Sequence, residues 1–229
     1  MNLLDKLNSA QHEAVTAPNG PTLVLAGPGS GKTRVLTHRI AYLINAVGVP
    51  PWKILAVTFT NKAAREMKER VEKVLPVPGL WISTFHAMCA RILRRDIELL
   101  PGYTRDFTIY DTGDKNTLLK RLIKELGYDI TRFRPAAIGG WISARKNRAR
   151  EERSVATESE EDGMETEVLK RVEKRYEETL RASNALDFDD LLLKVLHLFE
   201  TQPGVRDAYA RRFRHVLVDE YQDTNRLQA

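Results

Sequence analysis

Ala26-Gly27-Pro28-Gly29-Ser30-Gly31-Lys32-Thr33 is the stretch that decides how this 229-residue chain is read. It follows the spacing G-x-x-x-x-G-K-[ST], with Ala26 in place of the first glycine. Small residues let the backbone curl until successive N–H groups converge on one point. The N-terminus of a following helix adds its dipole there. Both features suit a row of phosphates. Lys32 is placed to reach the β- and γ-phosphates, and the Thr33 hydroxyl to meet Mg²⁺. The plainer alternative is a glycine-rich turn without a ligand. The flanks favour the first reading: Thr22-Leu23-Val24-Leu25-Ala26 predicts a buried strand before the loop, and residues 32–45 a helix after it.

Further apolar runs at 54–58, 81–84, 107–110 and 215–219 also predict strands. Continuous apolar character over four or five residues suits a parallel sheet covered on both faces. Helical segments at 62–75 and 86–100 alternate with them, which predicts an α/β fold built from strand–helix–strand units. After Tyr110 the pattern changes. Leu118, Leu119, Leu122, Ile123 and Leu126 form one helical stripe, and Val168, Leu169, Val172, Tyr176 and Leu180 another. No strand is expected between Asp111 and Leu186. The expected organisation is therefore an α/β domain at 1–110 plus 187–229, interrupted by a helical insertion at 111–186. Within the insertion, residues 154–163 predict a solvated acidic loop.

Composition narrows the class. Apolar residues at 42% and charged residues at 29% exclude a disordered chain, a collagen and a disulfide scaffold. The single cysteine, Cys89, cannot form an internal disulfide. No apolar run reaches the ~18–20 residues of a membrane span. Met1-Asn2-Leu3-Leu4-Asp5-Lys6 lacks the pattern of a signal peptide, so a cytoplasmic location is expected. A net charge of +5 hints at a polyanionic partner, although many proteins carry as much without one. The basic run Arg145, Lys146, Arg148, Arg150 and Arg153 reads either as a nucleic-acid contact or as a solvated helix face.

A phosphate loop needs an acid at the end of another strand, and Val216-Leu217-Val218-Asp219-Glu220 supplies it. Asp219 would hold Mg²⁺, and Glu220 would orient and deprotonate an attacking water. Asp187, Asp189 and Asp190 are also close together; helix capping accounts for them better than a metal site.

Several segments then point to one family. They are Leu7-Asn8-Ser9-Ala10-Gln11, Thr58-Phe59-Thr60-Asn61-Lys62-Ala63-Ala64, Ser83-Thr84-Phe85-His86, Leu186-Asp187-Phe188-Asp189-Asp190-Leu191 and Asp219-Glu220-Tyr221-Gln222-Asp223-Thr224-Asn225. In this order and spacing they resemble the N-terminal half of superfamily 1 DNA helicases of the UvrD/PcrA/Rep type, P-loop NTPases with a RecA-like motor domain 1A and an inserted subdomain 1B. The resemblance covers nearly the whole chain and is weakest from Asn147 to Glu167. It implies ATP and Mg²⁺ as ligands, with Gln11 at the adenine edge and Arg34 near the base or phosphates. Ala26, Gly27, Gly29, Ser30, Gly31, Lys32 and Thr33 would cradle the phosphates.

The resemblance also implies that Phe59 and Asn61, with Thr84 and His86, meet single-stranded DNA, and that Gln222 and Asp223 link the hydrolysis site to the DNA side. An aromatic face suits any base. Plainer roles stay open: Phe59 as core, His86 as a helix-start residue, Gln11 as a surface residue. The insertion would touch duplex DNA, although Ile138-Gly139-Gly140 matches the family's duplex-contacting segment only in part.

Ten residues follow Asp219, and the family has a second motor domain that supplies arginines to the transferring phosphoryl group. The expectation is thus an N-terminal fragment of an ATP-dependent 3′-to-5′ DNA helicase acting in repair or replication restart, inactive by itself. The alternatives are a truncated nucleotide- or DNA-binding module without turnover, and part of a RecB/AddA-type helicase–nuclease.

Overall fold

The structure is a computed structural model that describes residues 4–5, 7–148, 164–225 and 227–228. Its described strands are β1 (Ile54–Thr58), β2 (Trp81–Thr84), β3 (Thr108–Tyr110), β4 (Ala185–Asp187) and β5 (His215–Val218). Its described α-helices are α1 (Ser9–Thr16), α2 (Lys32–Asn45), α3 (Asn61–Val74), α4 (Phe85–Asp96), α5 (Thr112–Glu125), α6 (Pro135–Arg148), α7 (Met164–Ala182), α8 (Phe188–Thr201) and α9 (Pro203–Arg212). The chain divides into two compact units, Met1–Met88 with Arg206–Thr224, and Cys89–Val205 with Asn225–Ala229.

The first unit is built on a parallel sheet in the order β2-β1-β5. Leu55 of β1 lies in register with Trp81 of β2 and Val216 of β5. β1 is buried along its whole length, as a central strand covered on both faces must be. Ile40 and Leu43 of α2 pack with Met67 and Val71 of α3 on Ile54 and Ala56 of β1. Each of these side chains except the small Ala56 contributes about 1.5–3 kcal/mol on burial. Local chemistry sets the helix starts. The Thr60 hydroxyl accepts the Ala63 N–H ahead of α3, and Gly31 caps α2 in the left-handed conformation, φ +87°.

The α/β class expected from the sequence holds, as does the parallel sheet. Two expected strands behave differently. Residues 22–26 form no strand: Leu23 is 67% exposed and Leu25 86%. β5 ends the sheet, so a strand added there would pair on one side only and become the new edge, the weakest position a strand can take. The second, at 107–110, is present as β3 but lies outside the main sheet. It pairs in parallel with β4, so a strand does occur at the end of the expected all-helical insertion.

That pairing belongs to the second unit. Leu119, Leu122 and Ile123 of α5, Ile138 and Ile142 of α6, and Val172, Tyr176 and Leu180 of α7 form its core with Ala185 of β4. Both helical stripes read from the sequence are there. The unit boundaries fall at Met88/Cys89 and Val205/Arg206, some twenty residues outside those expected at 110/111 and 186/187. The β3–β4 pair ties both flanks of the insertion to its helices.

Candidate functional site

Because β1, β2 and β5 are parallel, their C-terminal ends share one edge, the edge at which open α/β sheets bind ligands. Phe59 and Asn61 follow β1, His86 follows β2, and Asp219 and Glu220 follow β5. The glycine-rich loop leads into α2 in the same unit.

The loop at 26–30 is exposed and folded on itself. The Ser30 hydroxyl donates to the Gly27 carbonyl at 2.7 Å. Lys32 Nζ donates to the carbonyls of Ala26 and Gly27, each at 3.3 Å. An ammonium held by two neutral carbonyls exchanges them readily for phosphate oxygens, which accept more strongly. Gln11 reaches the loop from α1. Its backbone N–H donates to Asn8 Oδ1 in a capping box, and its side-chain Nε2 donates to the Ser30 carbonyl at 2.9 Å. Its positive φ makes position 31 a glycine position, and a Cβ there would lie 2.9 Å from that nitrogen and push the Gln11 amide aside. Arg34 is exposed in the first turn of α2.

Across the site, Asp219 is 7% exposed. Burial pushes its carboxyl above the usual range, and the adjacent Glu220 pushes it further. The Glu220 N–H, 3.1 Å from Asp219 Oδ1, and the charges of Lys32 and Arg70 pull the other way without cancelling the rise. Glu220 has a left-handed backbone, φ +51°, and Gln222 Nε2 donates to its Oε2. Two adjacent carboxylates, one of them buried and incompletely neutralised, with a threonine hydroxyl at position 33, are hard oxygen donors that fit Mg²⁺. Among the described residues no cluster of three or more His, Cys, Asp or Glu could cage a metal.

Of the residues implied to meet DNA, Phe59 is half-buried with its ring 5.4 Å from that of Phe85. Asn61 is exposed at the start of α3. Thr84 is buried, and its hydroxyl accepts the Ala87 N–H at 3.2 Å, a helix-capping contact. His86 is half-buried in the first turn of α4. Gln222 and Asp223 lie exposed in the turn after Glu220.

In the second unit Asp187 is the N-cap of α8, in a reciprocal capping box with Asp190. Lys146 is buried against Asp187, Asp190 and Glu177 at 3.1, 2.8 and 2.7 Å, so one member of the basic run points inward. Arg145 pairs with Glu173 at 3.2 Å and lies over the Trp141 ring. Arg150, Arg153 and the acidic stretch 154–163 lie outside the described residues. The sequence reading passed over Arg70, whose charge acts on Asp219. Only its place between the core residues Met67 and Val71 marks it in a helix rich in Lys and Glu.

Residues 7–229 match the family described as UvrD/REP helicase N-terminal domain. The chain is 50% identical over 229 residues to the ATP-dependent DNA helicase PcrA of Bacillus subtilis (strain 168), covering 99% of this chain and 30% of that protein. It is 45% identical over 228 residues to the protein of that name from Staphylococcus aureus (strain Mu50 / ATCC 700699), covering 99% and 31%. It is 46% identical to that of Leuconostoc citreum over 229 residues, covering 99% and 30%. The chain thus spans about 30% of the length of these curated relatives.

Proposed function

Because the chain belongs to the UvrD/REP helicase N-terminal domain family, we propose that it is the ATP-binding part of a longer DNA helicase. That helicase would couple ATP hydrolysis to 3′-to-5′ movement along single-stranded DNA and to duplex unwinding. The observation that supports this reading is a glycine-rich loop opening α2 and an Asp219–Glu220 pair closing β5 within one unit of a parallel α/β sheet.

Gln11 recognises the adenine edge, with Arg34 beside the nucleotide. The backbone N–H groups of the loop from Ala26 to Thr33 cradle the phosphates. Lys32 leaves its two carbonyl acceptors for the β- and γ-phosphate oxygens. Thr33 and Asp219 hold Mg²⁺, which supplies charge neutralisation at the phosphates when bound. Glu220 orients the attacking water and takes its proton. Phe59 and Asn61, with Thr84 and His86, face single-stranded DNA along the same edge. Phe59 offers a base the part of its ring that does not pack on Phe85. The inserted helices contact duplex DNA.

The rest of the longer protein supplies a second motor domain whose arginines complete the hydrolysis site, an effect worth about 10³–10⁵ in rate in P-loop systems. Among the described residues no helix is long and apolar enough to cross a membrane. We place the protein in the cytoplasm, in DNA repair.

Calorimetric titration of the chain with Mg·ATP tests the nucleotide site. Lys32→Ala abolishes the binding isotherm; an unchanged isotherm overturns the assignment. In the full-length protein, Phe59→Ala weakens single-strand binding by about 1–3 kcal/mol at fixed salt. Unchanged fluorescence anisotropy returns Phe59 to a packing role against Phe85.

A further inference from the structure

The turn after β5 fixes Glu220 at both its backbone and its side chain. The backbone is left-handed at φ +51°, ψ +48°, a conformation strained for any residue but glycine and one that tends to mark functional turns. It is held there from both sides. The Glu220 N–H donates to Asp219 Oδ1 at 3.1 Å, and the Glu220 carbonyl accepts the Asp223 N–H at 2.9 Å. Thr224 closes the next turn by donating its hydroxyl to the Tyr221 carbonyl at 2.6 Å. The side chain is held by Gln222, whose Nε2 donates to Glu220 Oε2. Gln222 is itself exposed, so that contact, rather than burial, distinguishes its side chain.

We infer that Gln222 is a positioning residue for the general base: its amide ties one carboxylate oxygen of Glu220 and leaves the other, Oε1, aimed to accept a proton from the attacking water. This rests on the reading of Glu220 as the base. In the step it serves, the water oxygen forms the new bond to the γ-phosphorus and its proton passes to Glu220. The bond from the γ-phosphorus to the β–γ bridging oxygen breaks, with the electron pair leaving on ADP. A glutamate side chain has three rotatable torsions. The left-handed backbone redirects the first of them away from the strand, and the Gln222 amide restrains the last. The adjacent Asp219 is an acid and gives the carboxylate no anchor.

Two measurements test the inference. In the ¹⁵N-correlated spectrum of the chain without nucleotide, the Gln222 side-chain amide is displaced from the free position and returns to it in Glu220→Ala. An amide resonance that Glu220→Ala does not move overturns the contact. In the full-length protein with DNA present, Gln222→Met lowers kcat about tenfold and leaves KM for ATP unchanged, as expected for a misaimed rather than a missing group. An unchanged or raised kcat, or a loss confined to KM, overturns the positioning role. The base reading fails separately, if Glu220→Gln turns over ATP at the wild-type rate, whatever the Gln222 amide does.

Discussion

Asp187 at the end of β4 and Asp219 at the start of the turn after β5 occupy like positions, each closing a short strand and each buried. Their surroundings differ. Asp187 Oδ2 accepts from Lys115 at 3.2 Å, Lys146 at 3.1 Å and the Tyr176 hydroxyl at 3.1 Å, while Oδ1 accepts the Asp190 N–H at 2.9 Å. Burial alone would raise this carboxyl, but Lys146 and Lys115 outweigh it and hold it at about 2. Asp219 has one adjacent N–H and a second acid, and its carboxyl is raised. An acid whose charge is cancelled by its own fold is a structural cap. Asp219 is left short of positive charge, whereas the cations around Asp187 outweigh its burial. The two regions of one chain show both outcomes from nearly the same strand ending.

Removing the cation at the first site gives the largest expected effect. Lys146→Met leaves the buried Asp187 and Asp190, with the half-exposed Glu177, around an apolar side chain, and costs about 3–5 kcal/mol in urea unfolding. Adding Asp187→Asn and Asp190→Asn recovers part of the loss, since the penalty is that of unpaired buried charge. Stability unchanged by Lys146→Met would mean that the acids are not neutralised as described.

Acid titration probes the same contrast more gently. The folded carboxyl of Asp187, at about 2, lies below its ordinary 3.8, so the folded state gives up this proton more readily than the unfolded chain. The resulting stabilisation is present above about pH 4 and is lost as pH falls through the lowered folded value. Asp187→Asn flattens that part of the pH–stability curve. At Asp219 the sign reverses. A raised carboxyl opposes folding at neutral pH, and the opposition is relieved as pH falls through the folded value. Asp219→Asn therefore stabilises the chain at pH 7, while ATP turnover is lost in the full-length protein. A destabilised Asp219→Asn would put Asp219 in the same structural class as Asp187.

Features that the sequence made legible are those set by local chemistry. The capping read for Asp187, Asp189 and Asp190 is there: Asp187 and Asp190 form the box that starts α8. The order of the phosphate loop and the acid pair was legible too, because spacing along the chain carries it. Pairings across the chain were not. Lys146 sits in a basic run that reads as solvated, and its burial is decided by acids on α7 and at the start of α8, some thirty to forty-five residues away. β3 reads as a strand in the sequence but its partner does not: β4 is three residues long, too short for a period, and only its pairing with β3 makes it a strand. The contact from Gln222 to Glu220 is local but depends on a left-handed backbone that no residue type at position 220 announces.

Residues 22–26 give the smallest expected effect and the sharpest contrast within the first unit. Leu25 is 86% exposed, whereas Leu55, with the same side chain, is 5% exposed in β1. Apolar, β-branched composition favours a strand only where a partner offers its free N–H and C=O groups and a face to pack on. At the open edge of β5 the first is available, but Val216, 58% exposed, shows that little covers the second. Leu25→Ser is therefore expected to change the stability of the chain by no more than about 0.5 kcal/mol. Leu55→Ala in the central strand costs about 2–5 kcal/mol. Urea unfolding of both variants separates the two readings of the loop's approach. If Leu25→Ser costs as much as Leu55→Ala, then residues 22–26 form the buried strand that the sequence predicts, and the phosphate loop is anchored by the sheet rather than by Gln11 and its own carbonyls.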